Sequence, residues 1–361
     1  MTREKVVSYE LPAGAKIETL ARSVYRGLSG SRDGTSRAAE QNVSKLGRML
    51  IGPVESEVEG KRLVVVADGA LQYVPFAALR TAHTVIARHE ISYVPSASTL
   101  VSLRADASSR VRAPKMLAVF ADPVFDESDE RLATRTVRAS PDQGPRSREG
   151  DGQSALDNAL RDAEMGGAIV RLPFTRREAN AIFSLIPETK RKVALDFDAT
   201  RAAALSKEIA DYRIIHFATH ALLDSRRPEF SGIVLSLVDR SGKKQDGFLA
   251  ATEVFNLKLR ADLVVLSGCR TALGQDVRGE GLVGLTRGFM YAGAPRVVAS
   301  LWKVDDAATA ELMRRFYEEM FGPRKLRPAA ALRQAQLALA KTTRWSSPYY
   351  WAAFVLHGDW N

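Results

Sequence analysis

A single cysteine, Cys269, occurs in 361 residues, so neither an internal disulfide nor a cysteine-based metal cluster is expected. No apolar run approaches the roughly 18–20 residues of a membrane-spanning helix. The longest runs, 263–267 and 297–301, have the length of strands. The opening residues, MTREKVVSYELP, lack the apolar core of a secretory leader. Together these absences predict a cytosolic, cytoplasmic chain without membrane association. Lys and Arg outnumber Asp and Glu by 52 to 42, yet no block of about five to eight basic residues concentrates the excess. No groove-reading motif is present either, so direct nucleic-acid binding is not expected. A solvated, Arg-rich surface accounts for the net charge of +10 and suits an acidic protein partner. No G-x-S-x-G elbow marks a serine hydrolase, and no tandem-repeat period is visible.

What is present is an alternation of apolar strands and amphipathic helices. In the N-terminal part, 6–12 reads as a strand and 17–28 has apolar residues at helical spacing. The segments 61–79, 89–103 and 115–123 each open on a buried-type strand, with Ser96 or Ser98 as a helix N-cap. From Asp126 to about Gly167 the composition shifts to Arg, Asp, Ser, Gly and Gln with few large apolar residues. Such a stretch buries too little surface to offset its ordering entropy, and is expected to be a mobile loop with at most a weak helix over 154–165. Beyond it, Thr175 and Glu178 spell a capping box. Strands at 192–197, 212–220, 232–239, 261–269 and 296–302 then alternate with helices, and 349–358 closes the series as a strand. Continuous apolar strands between helices imply an α/β fold with a mostly parallel sheet covered on both faces. In such sheets ligands sit beyond the carboxyl ends of the strands. Two strand ends carry suitable chemistry, HFATH with His220 and LSGC with Cys269.

These residues are separated by 269 − 220 = 49 positions. A thiol becomes a useful nucleophile when a nearby base takes its proton, and strand ends of one parallel sheet bring both groups to a common crevice. Caspases place their His about 50 residues before their Cys. His216 lies inside its strand and reads as a core histidine, and His83, His89 and His357 as structural or exposed.

Several further blocks extend the pattern. HFATHA, LSGCRTALG, GEGLVGLTRGFMYAGAPRVVASLWKVDD and YYWAAFVLHGDW stand in order between Tyr212 and Trp360, preceded by LVVVADGALQYVPFAAL and ISYVPSASTL. The chain thus resembles the CHAT family of caspase-like cysteine peptidases, in the caspase–separase clan and often attached to TPR repeats. The resemblance implies a pseudo-caspase-like half over 1–125, the polar loop over 126–168 and a catalytic half over 169–361. It implies Cys269 as nucleophile, His220 as base, and the backbone N–H groups of Cys269 and Ala221 as the oxyanion hole. Family members usually carry Gly after the His; Ala221 keeps the N–H and adds a Cβ. In clan relatives the residue two before the Cys lines the P1 pocket, which here is Ser267, without charge for an acidic or a basic P1 residue; Asp276 and Glu280 in the following Gly-rich loop offer negative charge for a basic one, and an uncharged or apolar P1 is an equal expectation. No metal or organic cofactor is implied. A protein substrate is, with a regulatory partner or upstream TPR repeats, in a bacterial defence or cell-death setting. The chain opens within the family domain and reads as a piece of a longer protein. The competing expectation is a catalytically silent caspase-like adaptor.

One decoy is set aside. Gly279, Gly281 and Gly284 spell G-x-G-x-x-G, with Asp305 downstream. The dinucleotide fingerprint requires those glycines to follow a strand directly, whereas here a polar segment intervenes after Ser267.

Overall fold

The computed structural model describes residues 5–30, 32, 34–133, 156, 169–224, 230–272 and 280–360. Ten strands of the described residues form one sheet: β1 (Leu63–Val65), β2 (Ile91–Tyr93), β3 (Lys115–Pro123), β4 (Arg191–Asp196), β5 (Tyr212–Asp224), β6 (Gly232–Val234), β7 (Phe248–Ala250), β8 (Leu263–Ala272), β9 (Arg296–Ser300) and β10 (Phe354–Gly358). Their order is β1-β2-β10-β9-β8-β5-β3-β4, with β6 and β7 added beside the end of β5. The run β9-β8-β5-β3-β4 is parallel, and β10 joins β9 antiparallel. Strands from both sides of the stretch 126–168 therefore share one sheet. Expected strands become β3, β5, β8 and β9 because their apolar runs are buried on both faces, as in Leu117 to Ala121.

The longer helices are α1 (Gly14–Ser29), α2 (Arg37–Leu50), α3 (Ala97–Ser109), α4 (Phe174–Phe183), α5 (Glu280–Tyr291), α6 (Asp306–Phe321) and α7 (Pro328–Ala340). Ser96 caps α3, its hydroxyl accepting from the Thr99 N–H. Side chains alternate across β5, and neighbouring residues meet different helices. His216 contacts Glu178 of α4 and Tyr317 of α6, whereas Phe217 packs against Phe289 of α5 and stacks on Phe120 at a centroid distance of 5.1 Å. Helices therefore cover both faces.

Three local expectations are corrected. Residues 6–12 form no strand: Val6, Tyr9 and Leu11 are exposed, with no neighbouring strand among the described residues. Thr175 does not cap α4, since Pro173 holds the N-cap position and the Thr175 hydroxyl donates to the Leu172 carbonyl. Glu178 instead is buried beside His216. Between the strands expected at 192–197 and 212–220, where the alternation places one helix over 199–210, the chain forms a short turn of α-helix over Arg201–Leu205 followed by a 3-10 turn over Lys207–Asp211. The expected mobile loop and the helix 154–165 lie, apart from 126–133 and Leu156, outside the described residues.

Candidate functional site

The separation of 49 has a structural origin. Ile214 pairs with Leu263 and Phe217 with Leu266, so β5 and β8 align with an offset of 263 − 214 = 49. An irregularity follows, in which Ala218 and Thr219 stand against Ser267 alone. Beyond it His220 pairs with Gly268 and Ala221 with Cys269, an offset of 268 − 220 = 48. Two residues against one is the arrangement of a β-bulge, which bends the strand and re-aims its side chains. Backbone position 269 lies in the same phase of β8 as Ser267, one ladder step from His220.

Gly268 is required at this bulge. A Cβ placed there would meet the Thr219 carbonyl oxygen at 2.2 Å and its carbon at 2.8 Å, both backbone atoms. The turn-like Ser-Gly before Cys269 is thus a close strand-to-strand approach within a strand that runs on to Ala272.

His220 is 3% exposed. Its Nε2–H donates to the Val170 carbonyl at 2.7 Å, and the Phe125 ring lies at a centroid distance of 5.5 Å. A ring that donates from Nε2 carries its lone pair on Nδ1 when neutral, so this contact selects the tautomer. Val170 is itself held by its neighbour. Arg171 forms a two-pronged pair with Asp122 at the end of β3, Nε to Oδ1 and Nη2 to Oδ2, both 2.8 Å. Arg176 of α4 adds Nε to Oδ2 at 2.8 Å, and Arg131 approaches at 3.3 Å. The Asp122 carboxylate is fully buried, and its backbone adopts a φ of 49°, a left-handed conformation that Asp tolerates. Asp196, at the end of β4, also binds Arg131 and Arg176. Fork-shaped guanidiniums on carboxylates are strong and geometrically specific, and they fasten the segment 170–176 over His220.

A cleft of about 210 Å³ opens between these parts, lined by His220, Ser267, Thr175, Lys303, Asp306 and Thr309 among others. Asp305 caps α6 by accepting from the Ala308 N–H at 2.9 Å, leaving Asp306 to face the cleft. The Asp306 Oδ2 accepts from the Phe174 N–H at 2.9 Å. Burial, with Glu178, Asp305 and Asp122 nearby, raises its carboxyl to about 6. The Ser267 and Thr309 hydroxyls are buried here without a hydrogen-bond partner among the described residues.

The other expected residues divide as follows. Asp276 and Gly279 lie outside the described residues, and Glu280 opens α5, with Gly281 and Gly284 inside that helix. The glycines therefore do not line a loop that leads directly from a strand. His216 is completely buried, Nε2 to Glu178 Oε1 at 2.7 Å and Nδ1 to the Tyr317 hydroxyl at 2.9 Å, and burial beside Glu178 raises the Tyr317 phenol well above its ordinary range. His89 is buried with Nδ1 bonded to the Lys61 carbonyl, and burial lowers His357 to about 4. His83 is exposed. Sequence reasoning missed Val170, Asp122 and Asp306. Only the paired acids of the WKVDD block signalled the last. Among the described residues no group of three or more His, Cys, Asp and Glu is placed to hold a metal ion, and no helix is long and apolar enough to cross a membrane.

The chain is 25% identical to mouse tetratricopeptide repeat protein 28 over 93% of its length, but it covers only 14% of that protein. A 115-residue segment is 35% identical to the human protein of the same name and covers 4% of it. Among solved structures, the Arg-specific cysteine proteinase gingipain R superposes with a TM-score of 0.51 at 10% identity, over 96% of this chain and 74% of that one. The Saccharomyces cerevisiae separase–securin complex superposes with a TM-score of 0.48 at 12% identity, over 82% of this chain and 15% of that one. Residues 40–359 match the CHAT domain, and the chain belongs to the CHAT domain family, on a caspase-like fold.

Proposed function

We propose that this chain is a cysteine endopeptidase in which Cys269 is the nucleophile and His220 the general base. The observation that carries the reading is the Nε2–H to Val170 contact, which reserves Nδ1 of a buried imidazole for proton transfer one ladder step from position 269. In the proposed reaction His220 Nδ1 takes the Cys269 proton, and the thiolate attacks the scissile carbonyl carbon. The backbone N–H groups of Cys269 and Ala221 meet the developing oxyanion. These residues are ladder partners, so their backbones lie about 4.8 Å apart. The imidazolium then protonates the leaving amine, and water, deprotonated by the same ring, releases the acyl group.

The cleft supports a P1 residue with a basic tip. Asp306 supplies a carboxylate that is ionised at neutral pH, and the Ser267 and Thr309 hydroxyls supply acceptors for a side chain rich in N–H donors. Asp276 and Glu280, downstream of Cys269 in the sequence, would add negative charge. The substrate is a protein, and control by a partner or by attached TPR repeats fits a chain matching a small part of a repeat protein. A bacterial defence or cell-death setting belongs to the same proposal and rests on the family resemblance.

Cleavage of a diverse peptide library by the wild-type chain, Cys269→Ala and His220→Ala tests the reading. Both variants should lose at least about 1,000-fold in rate, and cleavage should follow Arg or Lys. Cleavage retained by Cys269→Ala would overturn the mechanism, and an apolar P1 preference would overturn the role of Asp306.

A further inference from the structure

The opposite end of the sheet carries a second concentration of charge. There the starts of β3, β5, β8 and β9 and the ends of α3 and α6 enclose a pocket of about 510 Å³. Five arginines line it: Arg110, Arg112, Arg213, Arg296 and Arg327. Asp262 is the one acidic lining residue among the described residues, giving a lining charge of 5 − 1 = +4. Asp359, ion-paired to Arg296 at 3.8 Å from outside the lining, reduces this to +3.

The interior is already organised around Asp262. Arg110 Nη2 donates to its Oδ1 and Arg213 Nε to its Oδ2, both at 2.7 Å, while Arg296 Nη1 donates to its backbone carbonyl at 3.0 Å. These contacts do not exhaust the donors. Arg296 is held with its side chain 12% exposed, yet its Nε–H has no hydrogen-bond partner among the described residues. Arg110 and Arg327 also repel its charge. Arg112 and Arg327 are exposed, at the mouth. The first turn of α7 begins here, with Pro328 at its start, no acidic residue and no side-chain cap, so its positive dipole end adds to the field. Asp262 and Asp359 bring two carboxylates to a lining of five arginines. Planar guanidiniums spread over several elements match the many oxygens of a compact polyanion. Apolar side chains, including Met116, Phe321 and Leu326, form the remaining wall.

We propose that this pocket binds an oligophosphate, with Arg112 and Arg327 gripping it at the mouth and Arg296 Nε donating from within. The site lies at the strand ends remote from His220 and stands independently of the peptidase reading. The phosphate chain is the shared chemistry of two sources, inorganic oligophosphate and a nucleotide whose base rests on the apolar wall.

Calorimetric titration of the full chain with inorganic tripolyphosphate and, separately, ATP tests the site. Saturable binding of one anion per chain is expected. Arg112→Ala with Arg327→Ala should weaken it by about tenfold or more, as lost charge-assisted pairs do. Lys243→Ala with Lys244→Ala removes the same charge from an exposed turn and should leave it within about twofold, since distant exposed charges are screened. Equal affinity for the two anions assigns the site to the phosphate chain alone, and tighter ATP binding to a nucleotide. No saturable binding of either, or equal loss in both double variants, overturns the proposal.

Discussion

Asp122→Ala should be among the most damaging single changes in this chain. The carboxylate is completely buried and accepts three guanidinium N–H bonds at 2.8 Å from Arg171 and Arg176, with Arg131 at 3.3 Å. Removing one partner of a buried ion pair costs about 3–5 kcal/mol, because the remaining charges lose their compensation. The three guanidiniums retain some water, with side-chain exposures of 14%, 30% and 33%, and Asp196 still holds Arg131 and Arg176. The lower end of that range, about 3 kcal/mol, is therefore expected. This is a large share of a typical folding stability of about 5–15 kcal/mol. Arg171 alone loses its main anchor, and with it the Val170 carbonyl that orients His220. Urea unfolding monitored by circular dichroism should show the lowered midpoint. Peptidase rate should fall further than the unfolded fraction explains, and in Asp122→Asn, which keeps volume and an acceptor, both losses should be smaller. A stability change below about 1 kcal/mol in the Ala variant, the range of an exposed pair, would refute this account of the cluster.

Gly268→Ala adds one methyl against the Thr219 carbonyl. Separating two backbones costs more than an ordinary overpacking of about 1–3 kcal/mol, so thermal unfolding should drop by several degrees; an unchanged midpoint would show that the bulge yields freely. Asp306 is more readily protonated in the folded chain, its carboxyl raised from 3.8 to about 6. Its contribution to stability is present in full below pH 4 and is lost as pH rises towards 6. Asp306→Asn should flatten that decline in pH-dependent unfolding and raise KM for basic P1 substrates, and a pH profile identical to wild type would refute the assignment.

The parts of the fold legible in the sequence were those governed by local pattern. Leu263 to Leu266 and Val297 to Ala299 read as buried strands because parallel strands under two helix layers are apolar throughout. The heptapeptide 6–12 shows the limit of pattern: its alternation is that of a strand, but among the described residues no neighbouring strand accepts it. Thr175 and Glu178 show another, since Glu178 finds a stronger claim in His216, 38 residues along the chain. At the candidate site, spacing and neighbouring blocks single out His220 and Cys269 in the sequence, and the ladder sets backbone position 269 one step from His220. Val170 contributes only a carbonyl, which no side-chain motif records. Asp306 follows a true helix cap, Asp305, and looks like part of the same signal until the cleft separates their roles.

The bulge in β5 also sets which changes in chain length the chemistry can absorb. The described residues 230–262 lie outside the β5–β8 pairing that holds His220 and position 269. Insertions there alter the count between the two residues without altering their phase. A single deletion at Ala218 or Thr219 leaves one residue opposite Ser267 and His220 still opposite Gly268, but removes the bulge that bends β5 and re-aims the side chains at its end. The ladder, rather than the interval of 49, is what homologous chains of different length would have to preserve.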